Sequence, residues 1–194
     1  MIEAIHVIDK FILLQINSFH STFLDVMMFY FSETWIFVPF IFYLFYYVYK
    51  KIGLKKTAVL VIFFSVLITL CDQSANLTKH KVKRFRPTHN LEIKDNLHLV
   101  KNYRGGKYGF FSSHAANSFG IAMFFFLLFS KQTKAFRFVF FILAFLVSYS
   151  RMYMGVHYPS DILVGLIVGG MFGFLMHKFL QFYFIRMYQE MISI

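Results

Sequence analysis

One cysteine, three prolines and nine acidic residues are spread over 194 positions, and each shortage removes a class of explanation. Cys71 has no second cysteine to pair with, so no intramolecular disulfide forms and cysteine usage marks no redox compartment. No Pro/Gly linker, internal repeat or low-complexity tract interrupts the chain, so residues 1–194 are expected to form a single domain. The N-terminus lacks a basic leader, and Asp9-Lys10 breaks its apolar character, so no cleavable signal peptide is expected. His6, His20, His80, His89, His98 and His177 show no paired ligand spacing, so neither a metal nor a cofactor is expected.

What the chain has in excess is apolar surface. Hydrophobic residues make up 58% and aromatics 22% of the sequence, and the mean hydropathy is +0.59. Twenty-nine phenylalanines are too many for a water-soluble fold of this size to bury. Lipid-facing surface removes that problem, which implies an all-α, polytopic membrane bundle. The net charge of +11 would suggest nucleic acid in a soluble protein. In a membrane protein it follows instead from basic cytoplasmic loops and from a basic loop suited to an anionic substrate.

A membrane-crossing helix needs about 20 apolar residues. Residues 35–49 and 57–71 are near-continuous apolar runs, joined by a basic turn with Lys50, Lys51, Lys55 and Lys56. Further runs cover about 112–130, 136–150 and 160–185. Within residues 1–31, Asn17, Ser18, His20 and Asp25 divide two apolar pieces, read as one imperfect crossing rather than two interfacial segments. That gives about six transmembrane helices. Lys131, Lys134 and Arg137, and then Lys178 and Arg186, fall on the same side as the first basic turn, which is therefore cytoplasmic. The long loop 72–111 and the turn 151–160 then lie outside. Trp35, Tyr43, Tyr153 and Tyr183 near span ends read as interfacial anchors or packing.

Three stretches carry chemistry. Lys79 and Arg86 stand seven apart, close to two turns of a helix that Pro87 would end, and both suit phosphate oxygens. Taken alone, Lys79, Lys81, Lys83 and Arg84 read rather as a solvated basic patch at the membrane edge. Ser112-Ser113-His114 opens an apolar helix whose first N–H groups suit an anion. There His114 is either an acid for a leaving alkoxide or an interfacial histidine, and Gly105, Gly106 and Gly109 let the backbone come close to a ligand. His157 and Asp161, spaced i, i+4, suit a histidine nucleophile oriented by a carboxylate, with Arg151 as a third cation. Such a group at the end of a membrane span is costly unless it is paired and useful.

Together these stretches resemble the type 2 phosphatidic acid phosphatases, which share a signature with vanadium haloperoxidases. Lys79 with Arg86-Pro87 matches the first family block. Ser150-Arg151, His157 and Asp161 match the third in full. Phe111-Ser112-Ser113-His114 keeps the serine and histidine of the second block, usually Pro-Ser-Gly-His, but not its proline or glycine. The resemblance implies a metal-free, two-step displacement. His157 would attack phosphorus to give a phosphohistidine, Asp161 would orient it and His114 would protonate the leaving oxygen. Lys79, Arg86, Arg151, the Ser112 hydroxyl and the Ser113 amide would bind the phosphoryl oxygens.

The expected function is that of a lipid phosphatase in the cytoplasmic membrane of a bacterium, with its site facing outward. Undecaprenyl diphosphate, lipid A, phosphatidic acid and phosphatidylglycerol phosphate are all compatible substrates, the first two favoured. Nucleic acid is not an expected partner, and no obligate protein partner is evident. A phosphotransferase using the same intermediate is one alternative. A transporter or binding protein for anionic lipids is another, though binding alone does not require the His157–Asp161 spacing.

Overall fold

The computed structural model describes residues 2–188 and 192–194. Its regular elements are helices: α1 (Ile2–Ser18), α2 (Thr22–Ser32), α3 (Val38–Ile52), α4 (Leu54–Val82), α5 (Ser113–Leu128), α6 (Lys134–Tyr153) and α7 (Pro159–Tyr188). Short 3-10 turns fill the long loop between α4 and α5. Side-chain oxygens of Ser21, Ser112 and Thr133 cap the starts of α2, α5 and α6, accepting from Leu24, Ala115 and Phe136 N–H respectively. Gly53 links α3 to α4 with φ of 80° and donates its N–H to Tyr49 C=O. Only glycine takes that backbone shape without cost.

The core is built around α5, which packs on α4, α6 and α7. After its polar first turns it is apolar on all sides, as a helix enclosed by others must be. Phe124, Phe125 and Phe129 are fully buried, and the Phe129 and Phe140 rings stack in parallel at 5.8 Å. The outer helices carry large apolar side chains outward, among them Ile62, Ile142, Phe145, Leu163, Ile167 and Phe182. Three helices, α4, α6 and α7, are long and apolar enough to cross a bilayer; α2 and α3 together form a fourth candidate bent by 71°. The molecule is therefore a multi-pass membrane protein. At about 1.5 Å per residue, the 29 residues of α4 outrun the hydrocarbon core, so its last turns stand clear with Lys79.

Two ends of the bundle differ. One carries the turns at Lys50–Lys56 and Lys131–Lys134, where Tyr47 meets Phe129 and accepts a hydrogen bond from Gln132. The other gathers the end of α4 and the starts of α5 and α7. Residues 1–31, expected as a single crossing, form two helices that both stay with this second end. Asp9 of α1 accepts from Ser160 N–H, Asn17 donates to Tyr153 C=O, and Asp25 of α2 accepts from the Tyr153 hydroxyl. Asn17, His20 and Asp25, which break the apolar pattern, thus make tertiary contacts, while the Ser18 hydroxyl bonds locally, to Gln15 C=O.

Candidate active site

Lys79 sits in the last turn of α4 and donates from Nζ to Ser113 Oγ at 3.2 Å. The helix then ends at Val82, with Lys83 in the left-handed region (φ 53°). One helix bearing both Lys79 and Arg86 was expected and is not formed. Residues 84–86 pair instead with 107–109: Arg86 N–H donates to Lys107 C=O at 3.0 Å, and Gly109 N–H to Arg84 C=O at 2.9 Å. That pairing needs extended backbone, and Pro87 independently disfavours helix at Arg86. Arg86 still reaches the site, by a bend rather than by helical spacing.

Two glycines hold the Arg86 side chain in place. A Cβ at Gly109 would lie 3.0 Å from Arg86 Cγ, 3.3 Å from Asp161 Oδ2 and 3.6 Å from His157 Nδ1. One at Gly105 would lie 2.6 Å from Arg86 Nη1. Their role is to let this loop close over the site's own side chains. Gly106 has nothing within 4 Å of its Cβ position. Arg86 donates from Nε to Tyr108 C=O at 3.1 Å, while Nη1 is buried without a protein partner. Burial, then Arg151, pushes this guanidinium down to about 10, still charged at neutral pH.

Ser112 is the N-cap of α5, with Oγ accepting from Ala115 N–H at 3.4 Å and its own N–H donating to Asp161 C=O at 3.1 Å. The helix start keeps its cap although Phe111 and Ser113 stand at the two altered positions of the motif. His114 follows in the first turn, within electrostatic reach of Arg151, His157, Arg86 and Lys79. Arg151 ends α6, fully buried, where it donates to Ser32 Oγ and lies 5.7 Å from the Tyr103 ring.

His157 lies in the turn before α7, and Asp161 in that helix's first turn, behind Pro159. Both are fully buried. Nδ1 of His157 faces Asp161 Oδ2 at 3.4 Å, a long contact, of the kind that tightens when substrate binds. Nε2 points away from Asp161, buried and without a protein partner. Burial first, then Arg86, Arg151 and Lys79, holds the imidazole well below its usual range, against a backbone hydrogen bond with Gly109. The ring is therefore neutral near pH 7 and keeps a lone pair. Lys79, Arg86, Ser112, Ser113, His114, Arg151, His157 and Asp161 thus gather at one end of the bundle.

The sequence reading missed a second layer. Arg84, taken there as part of a solvated patch with Lys81 and Lys83, is largely buried, whereas those two lysines are exposed. It donates from Nη1 to Asp161 Oδ1 at 2.6 Å and to Ser160 Oγ at 2.7 Å, and from Nη2 to Asp9 Oδ2 at 2.6 Å. His6 Nδ1 lies 3.3 Å from the same guanidinium, which also sits 4.2 Å above the Tyr158 ring. With Tyr158 N–H donating to Oδ2 at 3.0 Å, the Asp161 carboxylate is held at both oxygens. No local signal marks Asp9, which comes 152 residues before Asp161 in the chain. Of the two roles expected for Tyr153, anchor or packing, the structure shows packing: it is buried, with its hydroxyl 2.6 Å from Asp25.

Fold and site together define a multi-pass helical membrane protein with a cation-lined histidine–aspartate centre at one end of its bundle. By its match to the family model over residues 57–185, the chain belongs to the PAP2 superfamily. It is 39% identical over 188 residues to a lipid A 4'-phosphatase of Bacteroides thetaiotaomicron, covering 95% of this chain and 80% of the relative. A lipid A 4'-phosphatase of Porphyromonas gingivalis is 34% identical over 181 residues, covering 91% and 74%. Among solved structures, LpxE of Aquifex aeolicus superposes with a TM-score of 0.66 at 23% identity, covering 88% of this chain and 95% of that one. The PAP2 type phosphatidylglycerolphosphate phosphatase of Bacillus subtilis gives 0.70 at 20% identity, covering 91% and 86%. At those identities the likeness to the solved structures concerns the fold.

Proposed function

We propose that this protein is a membrane lipid phosphatase that releases phosphate from a lipid A-type glycolipid through a phosphohistidine. One observation carries the reading. An apolar cavity of about 770 Å3 runs between α2, α3, α4, α5 and α6, and its wall includes Ser113 and His114. A phosphate held beside His157 would thus sit at the head of a channel suited to an acyl tail. The relatives' names favour lipid A over undecaprenyl diphosphate, phosphatidic acid and phosphatidylglycerol phosphate, which the cavity also suits. The basic turns at the opposite end support an outward-facing site in a bacterial cytoplasmic membrane.

The geometry supports a balanced sequence. His157 Nε2 donates its lone pair to phosphorus, forming the N–P bond as the P–O bond to the lipid breaks. His114 gives its proton to the departing lipid oxygen. Asp161, held by Arg84 and Tyr158 N–H, fixes the ring with Nε2 forward and stabilises the positive charge that develops on it. Lys79, Arg86 and Arg151 offset the growing charge on the phosphoryl oxygens, assisted by the Ser112 hydroxyl and by Ser113 N–H at the helix start. Water then attacks phosphorus, His114 takes its proton, and the N–P bond breaks to release phosphate.

Phosphate release by detergent-purified protein tests this, with EDTA present, over a panel of lipid phosphates and with His157→Ala alongside. The expected outcome is release from a phosphorylated glycolipid by the natural protein and none by the variant. Binding of lipids without release would leave a transporter or binding protein, and phosphate appearing only on an added alcohol would make it a phosphotransferase.

A further inference from the structure

Below the phosphate-facing residues, the same cavity contains a second polar contact between α4 and α5. Asn117 donates from Nδ2 to Asp72 Oδ1 at 2.8 Å. Both residues line the cavity, among walls otherwise made largely of phenylalanine, valine and isoleucine. Asn117 comes one turn after Ser113, about 6 Å further along the helix. Asp72 precedes Lys79 by two turns, about 10 Å on the same basis. Lys79–Ser113 and Asp72–Asn117 therefore form two rungs, the outer one cationic and the inner one anionic.

The inner rung is poorly explained as a strut alone. A carboxylate within a membrane helix is costly, and such residues mark function more often than packing. Asn117 makes the one hydrogen bond to the Asp72 carboxyl among the described residues, and Asn117 Oδ1 is buried with no partner. Lys79, the nearest cation along α4, donates to Ser113 and acts on Asp72 only through space, without a hydrogen bond to it. The half-buried Asp72 carboxyl thus opens on a mainly apolar cavity with acceptor capacity left over, held across α4 and α5 by Asn117.

We infer that Asp72 and Asn117 form a subsite for hydrogen-bond donors carried by the lipid just inside its phosphate, the N–H or O–H groups of an acylated, hydroxylated amino-sugar phosphate. The inference rests on the phosphatase reading and narrows its substrate class. A diacylglycerol phosphate presents only ester oxygens at that depth. These are acceptors, and a carboxylate repels them. A site that bonds a donor in its ligand discriminates strongly against an analogue that lacks it, because its own buried polar groups then lose their partner.

The test compares two synthetic glucosamine lipid phosphates, one with amide-linked 3-hydroxyacyl chains and one with plain ester-linked chains. The natural protein and Asp72→Ala are compared in kcat/KM, and Asp72→Asn supplies an isosteric variant that keeps the α4–α5 contact. The natural protein is expected to favour the donor-bearing lipid by about tenfold to a hundredfold, the range for one hydrogen bond to a charged group. Asp72→Ala should remove that preference by slowing the donor-bearing lipid alone. Equal slowing of both lipids, or a preference that survives both variants, overturns the proposal. Lipid binding measured in the His157→Ala background, with and without Asp72→Ala, gives the same comparison without turnover. A donor preference in binding, with no phosphate release by the natural protein from either lipid, would therefore count against the phosphatase reading but for the subsite.

Discussion

At the residue scale, Asp161 is held by partners that never face the phosphate. Arg84 contributes a charge-assisted hydrogen bond to Asp161 Oδ1, and Asp9 and Ser160 hold Arg84 in turn. Losing one hydrogen bond to a charged group costs about 1.5–3 kcal/mol, and about 1.4 kcal/mol is tenfold. Arg84→Gln should therefore lower kcat about tenfold to a hundredfold. The inhibition constant of inorganic phosphate should change little, because Arg84 lies behind Asp161; steady-state kinetics with phosphate as inhibitor separate the two effects. Titration gives a second expectation. On the proposed mechanism His157 must be neutral to attack, and its pKa is depressed by burial and by Arg86, Arg151 and Lys79. Activity should accordingly persist below pH 6.5 and fail only as pH drops through the depressed value. Removing a cation raises the pKa of a nearby base, so Arg86→Gln should move the acid limb of kcat/KM to higher pH as well as slow the reaction. A pH profile that stayed in place would count against His157 as the group being titrated.

At the scale of elements, the site depends on how closely α5 and α7 approach. A Cβ at Gly165 would lie 2.7 Å from Ser112 C=O, and Cβ atoms at Gly169 and Gly173 would overlap the carbonyls of Ala116 and Gly120. This one face of α7 therefore sets the distance between Ser112–His114 and His157–Asp161. Gly169→Ala has only backbone to push against, so it should cost more than the about 1–3 kcal/mol of ordinary overpacking. Gly170, with nothing within 4 Å of its Cβ position, should tolerate alanine. Thermal unfolding in detergent, run on both variants, distinguishes a packing face from a general intolerance of α7 to side chains.

What the sequence disclosed follows the same division. The blocks around Ser112 and His157 were legible because their chemistry depends on local spacing and helix starts, whereas Lys79 with Arg86-Pro87 was legible only by family resemblance, since α4 ends at Val82. Arg84 was not, because Lys81 and Lys83 beside it carry the same charge and only the fold brings Asp9 to it. The end of α4 at Val82 was hidden for a related reason. No glycine marks the left-handed turn at Lys83, and the pairing of 84–86 with 107–109 is a tertiary choice. Asn17 and Asp25 read as breaks in an apolar crossing, although they are partners for Tyr153 and His98.

For the whole molecule, α4, α5, α6 and α7 each join two ends of unlike character. The site end also holds α1 and α2, while the far end carries Lys50, Lys51, Lys55, Lys56, Lys131 and Lys134 in short turns. Short basic loops are retained on the cytoplasmic side, which would put the cations proposed to bind phosphate outside with the lipid headgroups. The charge rule alone is ambiguous here, since loop 72–111 has nine Lys/Arg of its own. Lys79, Arg84, Arg86 and Arg151 are committed to the site and its supports, so the contest is really between exposed lysines at each end. A labelling experiment decides it cleanly because Cys71 is buried and offers no competing thiol at the surface. Thr22→Cys and Lys131→Cys place single exposed thiols at the two ends and leave the capping oxygens of Ser21 and Thr133 in place. In spheroplasts, a membrane-impermeant maleimide should modify position 22 directly and position 131 only after permeabilisation. The reverse pattern would turn the site toward the cytoplasm, so that its lipid would have to be dephosphorylated before export. Immediate modification of both would mean that α2 and the turn after α5 share one face, against the passage of α5 from the site end to the far end.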